Sequence, residues 1–94
     1  MRKRIIVACG GAVATSTVAA QGIRELCRKH KIEADLVQLR ISEIDSHLYG
    51  TDLIVSTAPL KKKYDIPVIH GLPFISGVGL EKTEEEILKV LKGA

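Results

Sequence analysis

Aromatic residues are nearly absent from this chain: tryptophan is missing and only Tyr49, Tyr64 and Phe74 carry six-membered rings. With a formal net charge of only +3 and no long basic stripe, the chain lacks both the stacking platforms and the electrostatic footprint of a nucleic-acid binder, so no nucleic-acid partner is expected. Cysteine is scarce as well. Cys9 and Cys27 fall at unlike positions and neither belongs to a Cys-x-x-Cys pair, which points to a reducing, cytoplasmic setting and gives no metal site. Long hydrophobic runs are missing too. Met1-Arg2-Lys3-Arg4 precedes an apolar run far shorter than a secretory or spanning segment, so direct membrane insertion is not expected. No repeat or linker interrupts the 94 residues, which read as one domain, 1–94, too small to carry a separate substrate domain. A large substrate would therefore come on a partner. Carboxylates are missing from the first 24 residues, and that absence bears directly on what is present there.

What is present is the stretch Ala8-Cys9-Gly10-Gly11-Ala12-Val13-Ala14-Thr15-Ser16-Thr17, which joins an apolar run to a segment of helical periodicity. Cys9 follows Ile5-Ile6-Val7-Ala8 and so falls where a strand ends. The small residues and paired glycines after it let backbone N–H groups converge, which is how an anion cradle is built. Thr15, Ser16 and Thr17 stand where an N-cap is wanted, and the helix they open would aim its positive end at the loop. A thiol in such surroundings ionises more readily than free cysteine, whose pKa of about 8.5 can fall to roughly 3.5–7.5. The stretch reads as a nucleophile, Cys9, beside a phosphate-binding loop.

The remaining chain supplies a frame. Residues 3–8 form an unbroken β-branched run, as expected of a central strand buried on both faces of a parallel sheet. Over residues 16–29, Val18, Ala19, Gly22, Ile23, Leu26 and Cys27 share one helical face, and Gly22 suggests close packing on the sheet. Cys27 on that stripe reads as core. Residues 33–39 mix polar and apolar positions, with Val37 and Leu39 on one face, which suggests an edge strand. Ser42 and Asp45 form a capping pair for a brief helix carrying Ile44 and Leu48, stopped by Gly50. Residues 52–57 and 68–69 give two further strands. Residues 70–79 are apolar but broken by glycine and proline, which predicts a structured loop. Thr83 and Glu86 form a capping box for a last helix bearing Ile87, Leu88, Val90 and Leu91. The order predicts an α/β fold: a four-stranded parallel sheet with helices on both faces, doubly wound and Rossmann-like, with a phosphatase-type phosphate loop. In such sheets ligands lie beyond the carboxyl ends of the strands, so Cys9, residues 57–63 and the loop from His70 are expected on one rim. Lys61, Lys62 and Lys63 there could steer an anionic partner or simply be solvated, and His70 could act as an acid or bond to backbone.

A cysteine in a phosphate loop suits more than one chemistry. Cysteine phosphatases place an arginine six positions after the nucleophile, where its fork clamps the phosphoryl oxygens; here that position is Thr15, and no Asp-Pro pair offers a leaving-group acid. A thiol reductase would want a resolving cysteine nearby, which is missing. The residues thus allow three readings: a phosphoryl carrier, a small phosphatase or thiol reductase, and a non-catalytic anion-binding module. Accepting a phosphoryl group without hydrolysing it is the property of a carrier.

The segments from Ala8 to Thr17 and His70-Gly71-Leu72-Pro73-Phe74-Ile75-Ser76-Gly77-Val78-Gly79 resemble the IIB components of the bacterial phosphoenolpyruvate-dependent sugar phosphotransferase system. The first motif marks the wider phosphocysteine class; the second, with the matching length, points to its galactitol branch. The resemblance spans nearly the whole chain. It implies that Cys9 accepts a phosphoryl group from a histidine of a IIA protein and passes it to a polyol held by the membrane protein IIC, without a cofactor. It also implies a cytoplasmic protein that meets the inner face of the membrane through IIC. The apolar residues Leu72, Phe74, Ile75 and Val78 would then serve as a docking surface or pack on their own core.

Overall fold

The computed structural model describes residues 3–9, 13–58, 60 and 64–92. Strand β1 (Lys3–Cys9) leads to helix α1 (Val13–Lys29), strand β2 (Ala34–Arg40), a 3₁₀ helix (Ile41–His47), strands β3 (Leu53–Ser56) and β4 (Val68–His70), and helices α2 (Pro73–Ser76) and α3 (Leu80–Leu91). The strands form one sheet in the order β2-β1-β3-β4, and every neighbouring pair is parallel. The expected architecture is therefore present, with β2 at an edge and β1 inside. Ile5, Ile6, Val7 and Ala8 are each fully buried, as the lack of alternation in this run requires.

The pleat of β1 divides the core into two layers. Ile5 and Val7, with Leu53, Val55 and Ile69, meet Ala19, Ala20, Ile23, Leu26 and Cys27 of α1 and Ile87 and Leu91 of α3. Ile6, Ala8 and Ile54 face the other way, toward Ile44 and the half-buried Leu39, Ile41, Leu48, Leu60, Tyr64 and Ile66. That second face is covered by the 3₁₀ helix and irregular chain.

Local boundaries depart from expectation in four places. Helix α1 opens at Val13 rather than near Ser16, so Thr15, Ser16 and Thr17 lie inside its first turns and not at the N-cap. Alanine is the best helix former and hydroxyl residues are tolerated, while packing of Ala19, Ala20 and Ile23 stabilises the whole segment. The 3₁₀ helix is capped not by Ser42 and Asp45 but by Glu43, whose Oε1 accepts the backbone N–H of Arg40 at 3.0 Å. Residues 70–79 contain one helical turn, α2, because Pro73 can open a helix; Gly77 (φ +80°) closes it in the left-handed region. Helix α3 begins at Leu80 after Gly79, so Thr83 is an interior residue on the buried stripe Thr83, Ile87, Leu91, and its N–H donates to the Gly79 carbonyl at 3.2 Å.

Gly22 has its reason in one of these departures. A Cβ built there would collide with Cδ1 of Phe74, so the close approach is to the ring of α2 and not to the sheet.

Candidate functional site

The carboxyl ends of the four strands form a rim whose geometry follows from the register. Leu39, Ala8, Ser56 and His70 make one row across the sheet, and one residue further on Cys9 is paired with Arg40. The rim is tied together just below Cys9. Both the backbone N–H and the hydroxyl of Thr57 donate to the Ala8 carbonyl, at 3.0 and 3.3 Å, and the N–H of Gly71 donates to the Ser56 carbonyl at 2.6 Å. Cys9, Thr57 and His70 therefore share one rim, as expected. Lys61, Lys62 and Lys63 lie outside the described residues.

Cys9 is the last residue of β1, and α1 begins at Val13. Gly10, Gly11 and Ala12, expected in the phosphate-binding loop, lie outside the described residues. Val13, Ala14 and Thr15 form the first turn of α1, where backbone N–H groups have no intrahelical acceptor and the helix dipole is positive. Ser16 follows in the same helix. Thr17 holds that end of the helix against the edge strand: its hydroxyl donates to Oε1 of Gln38 on β2 at 3.2 Å. Thr15, Ser16 and Thr17 thus fall within a helix already begun, and among the described residues the N–H groups of its first turn are the free backbone donors at this end.

The two cysteines have different surroundings. Cys27 is 3% exposed among the residues of the larger core, and burial pushes its thiol pKa up. It is a core residue, as its place on the helical stripe suggests. Among the described residues, no cluster of His, Cys, Asp and Glu could hold a metal ion and no helix is long and apolar enough to cross a membrane.

Comparison with known proteins gives this geometry a family. The model of the lactose/cellobiose-specific IIB subunits of the phosphotransferase system matches residues 4–86. The chain belongs to the phosphotransferase IIB family. It is 51% identical over 94 residues to the galactitol-specific EIIB component of Escherichia coli strain K12, covering 99% of this chain and 100% of that protein. The galactitol-specific EIIB component of Shigella flexneri is equally similar, at 51% identity over the same coverage. Among solved structures, the lactose-specific IIB domain from Streptococcus pneumoniae superposes with a TM-score of 0.66 over 95% of this chain and 97% of that one. At 18% identity that likeness establishes the fold. The chain is thus a IIB component of a sugar phosphotransferase system.

His70 ends β4, and its register partner is Ser56; β4 is separated from β1 by β3, two strand spacings or about 10 Å away. Arg40, which belongs to no motif in the sequence, ends the strand directly beside Cys9. Its only sequence signal is that it closes the second strand as Cys9 closes the first. The apolar segment is divided: Phe74 packs against the core, whereas Leu72, Ile75 and Val78 are exposed, Val78 to 78%.

Proposed function

We propose that this IIB component carries phosphoryl groups on Cys9 for the uptake of galactitol. The observation that carries the reading is the place of Cys9, at the end of a central strand with the N-terminus of α1 four residues on. Thiolate and thiophosphate are both anions, and free N–H groups with a helix dipole favour each of them. The loop of Gly10, Gly11, Ala12, Val13, Ala14, Thr15, Ser16 and Thr17 has no arginine, so it stabilises the bound group without trapping it, as reversible transfer requires. The donor is a histidine of a IIA protein, and the acceptor is the polyol held by the membrane protein IIC. Leu72, Ile75 and Val78, exposed in the segment that follows β4, provide an apolar surface for these partners. The protein works in the cytoplasm and meets the membrane through IIC. The names of the relatives at 51% identity support galactitol as the sugar.

Label from phosphoenolpyruvate, supplied through the general transfer proteins and a cognate IIA, tests the transfer. Stable label is expected on the wild type and on Cys27→Ala, and none on Cys9→Ser. Equal loss in two folded variants overturns the assignment, and release of free phosphate would mark a phosphatase. Uptake by cells carrying this chain with its own IIA and IIC tests the sugar; phosphorylation of another sugar in place of galactitol overturns the specificity alone.

A further inference from the structure

We propose that Arg40 supplies, from the neighbouring strand, the cationic contact to the phosphoryl group on Cys9 that the loop itself lacks. The inference rests on Cys9 being the phosphoryl acceptor. Arg40 and Cys9 are register partners at the last rung of β2 and β1, one strand spacing of about 4.8 Å apart. The pleat puts Arg40 on the same sheet face as Gln38, and Gln38 accepts a hydrogen bond from Thr17 of α1. Arg40 is thus on the side of the sheet where α1 lies. Its backbone is fixed by the bond from its N–H to Glu43 Oε1, while the residue as a whole is exposed. Among the described residues, no other lysine or arginine ends a strand.

The chemistry needs such a group. On transfer the N–P bond of the donor histidine breaks as the S–P bond to Cys9 forms. The thiolate supplies the electron pair of the new bond, the imidazole keeps that of the old one, and it takes a proton from water if its ring was neutral. A thiolate is thereby replaced by a phosphoryl ester that, like other phosphoryl side chains, carries close to two negative charges at pH 7. Backbone N–H groups accommodate the first charge, whereas a guanidinium fork matches phosphoryl oxygens two at a time. Because Arg40 is exposed and outside the loop, it can follow the group on arrival and release it on departure. An arginine inside the loop, as in the phosphatases, would instead clamp it.

The test is the equilibrium of phosphoryl exchange between phosphorylated IIA of the galactitol system and this chain, read as label on each protein at low and high salt. The wild type is first shown to lose its label on Cys9→Ser; if it does not, the assignment of Cys9 falls and this inference falls with it. With Cys9 labelled, Arg40→Gln is expected to shift the equilibrium toward the donor by about three- to tenfold at low salt, with the deficit shrinking as salt is added. Arg40→Lys is expected to recover most of it. Both variants retain the backbone N–H that Glu43 accepts, so the strand end is preserved. An Arg40→Gln equilibrium equal to that of the wild type overturns the proposal. A deficit equal in Gln and Lys and indifferent to salt does so too, since it would mark a purely structural role.

Discussion

The two faces of the sheet are stabilised in different ways. On one, Ile23, Leu26 and Ile87 of two long helices close a continuous apolar layer over Ile5, Val7, Leu53 and Val55. On the other, Ile44 is the buried residue that the 3₁₀ helix brings to Ile6, Ala8 and Ile54. Polar ties supplement that thin layer: Nδ1 of His47 meets the Glu43 carbonyl at 3.0 Å, and the Thr51 hydroxyl donates to the His47 carbonyl at 2.7 Å. The difference teaches where rigidity is placed. Helix α1, which follows β1, belongs to the thick layer, so the helix end proposed to meet the phosphoryl group is anchored by the largest part of the core. The thin layer leads out of β2 through Arg40 and fixes its backbone with one carboxylate.

The comparison is most exposed to a pair of truncations. Ile23→Ala, in the thick layer, is expected to cost about 3–5 kcal/mol, and Ile44→Ala about 2–3 kcal/mol, because irregular chain around Ile44 can relax into the space. Urea unfolding measures both; equal losses would mean that the two layers are packed alike. A smaller effect sharpens the contact between α1 and α2. Gly22→Ala would gain about 1 kcal/mol of helix propensity in open space, but the Phe74 ring stands in the way, so a net loss of about 1–3 kcal/mol is expected. Combining it with Phe74→Leu should return part of that loss, and full additivity of the two changes would show that they do not meet.

The smallest effect comes from the thiol of the thick layer. Burial raises the Cys27 pKa above that of a free thiol, so the folded state holds the neutral thiol where the unfolded state has begun to ionise. Its contribution is fully present below the unfolded pKa and is lost as pH rises through the folded one. Stability should therefore decline above about pH 9 by a component that Cys27→Ala removes. Denaturation midpoints in mildly alkaline buffers check this. A decline of the same slope in Cys27→Ala would assign it to other groups.

The sequence by itself determined which segments are buried and what ends each of them. The β-branched run from Ile5 to Val7 can only be an interior strand, the stripe of Ala19, Ile23, Leu26 and Cys27 can only face a core, and Cys9 must then stand at a strand end before glycines. These are local facts, because burial imprints its period on the residues that undergo it. Tertiary structure alone decided the neighbours. Thr15, Ser16 and Thr17 look like caps until packing extends α1 back to Val13, and Thr83 looks like a cap until α3 opens at Leu80 and puts it on the buried stripe. Gly22 signals a close approach without naming Phe74, 52 residues away. Strand order and register arise from pairings remote in sequence, each a sum of many weak contacts that no window of residues contains. That is why His70, conspicuous in its motif, comes to rest two strands from Cys9, while Arg40, inconspicuous in the chain, stands beside it.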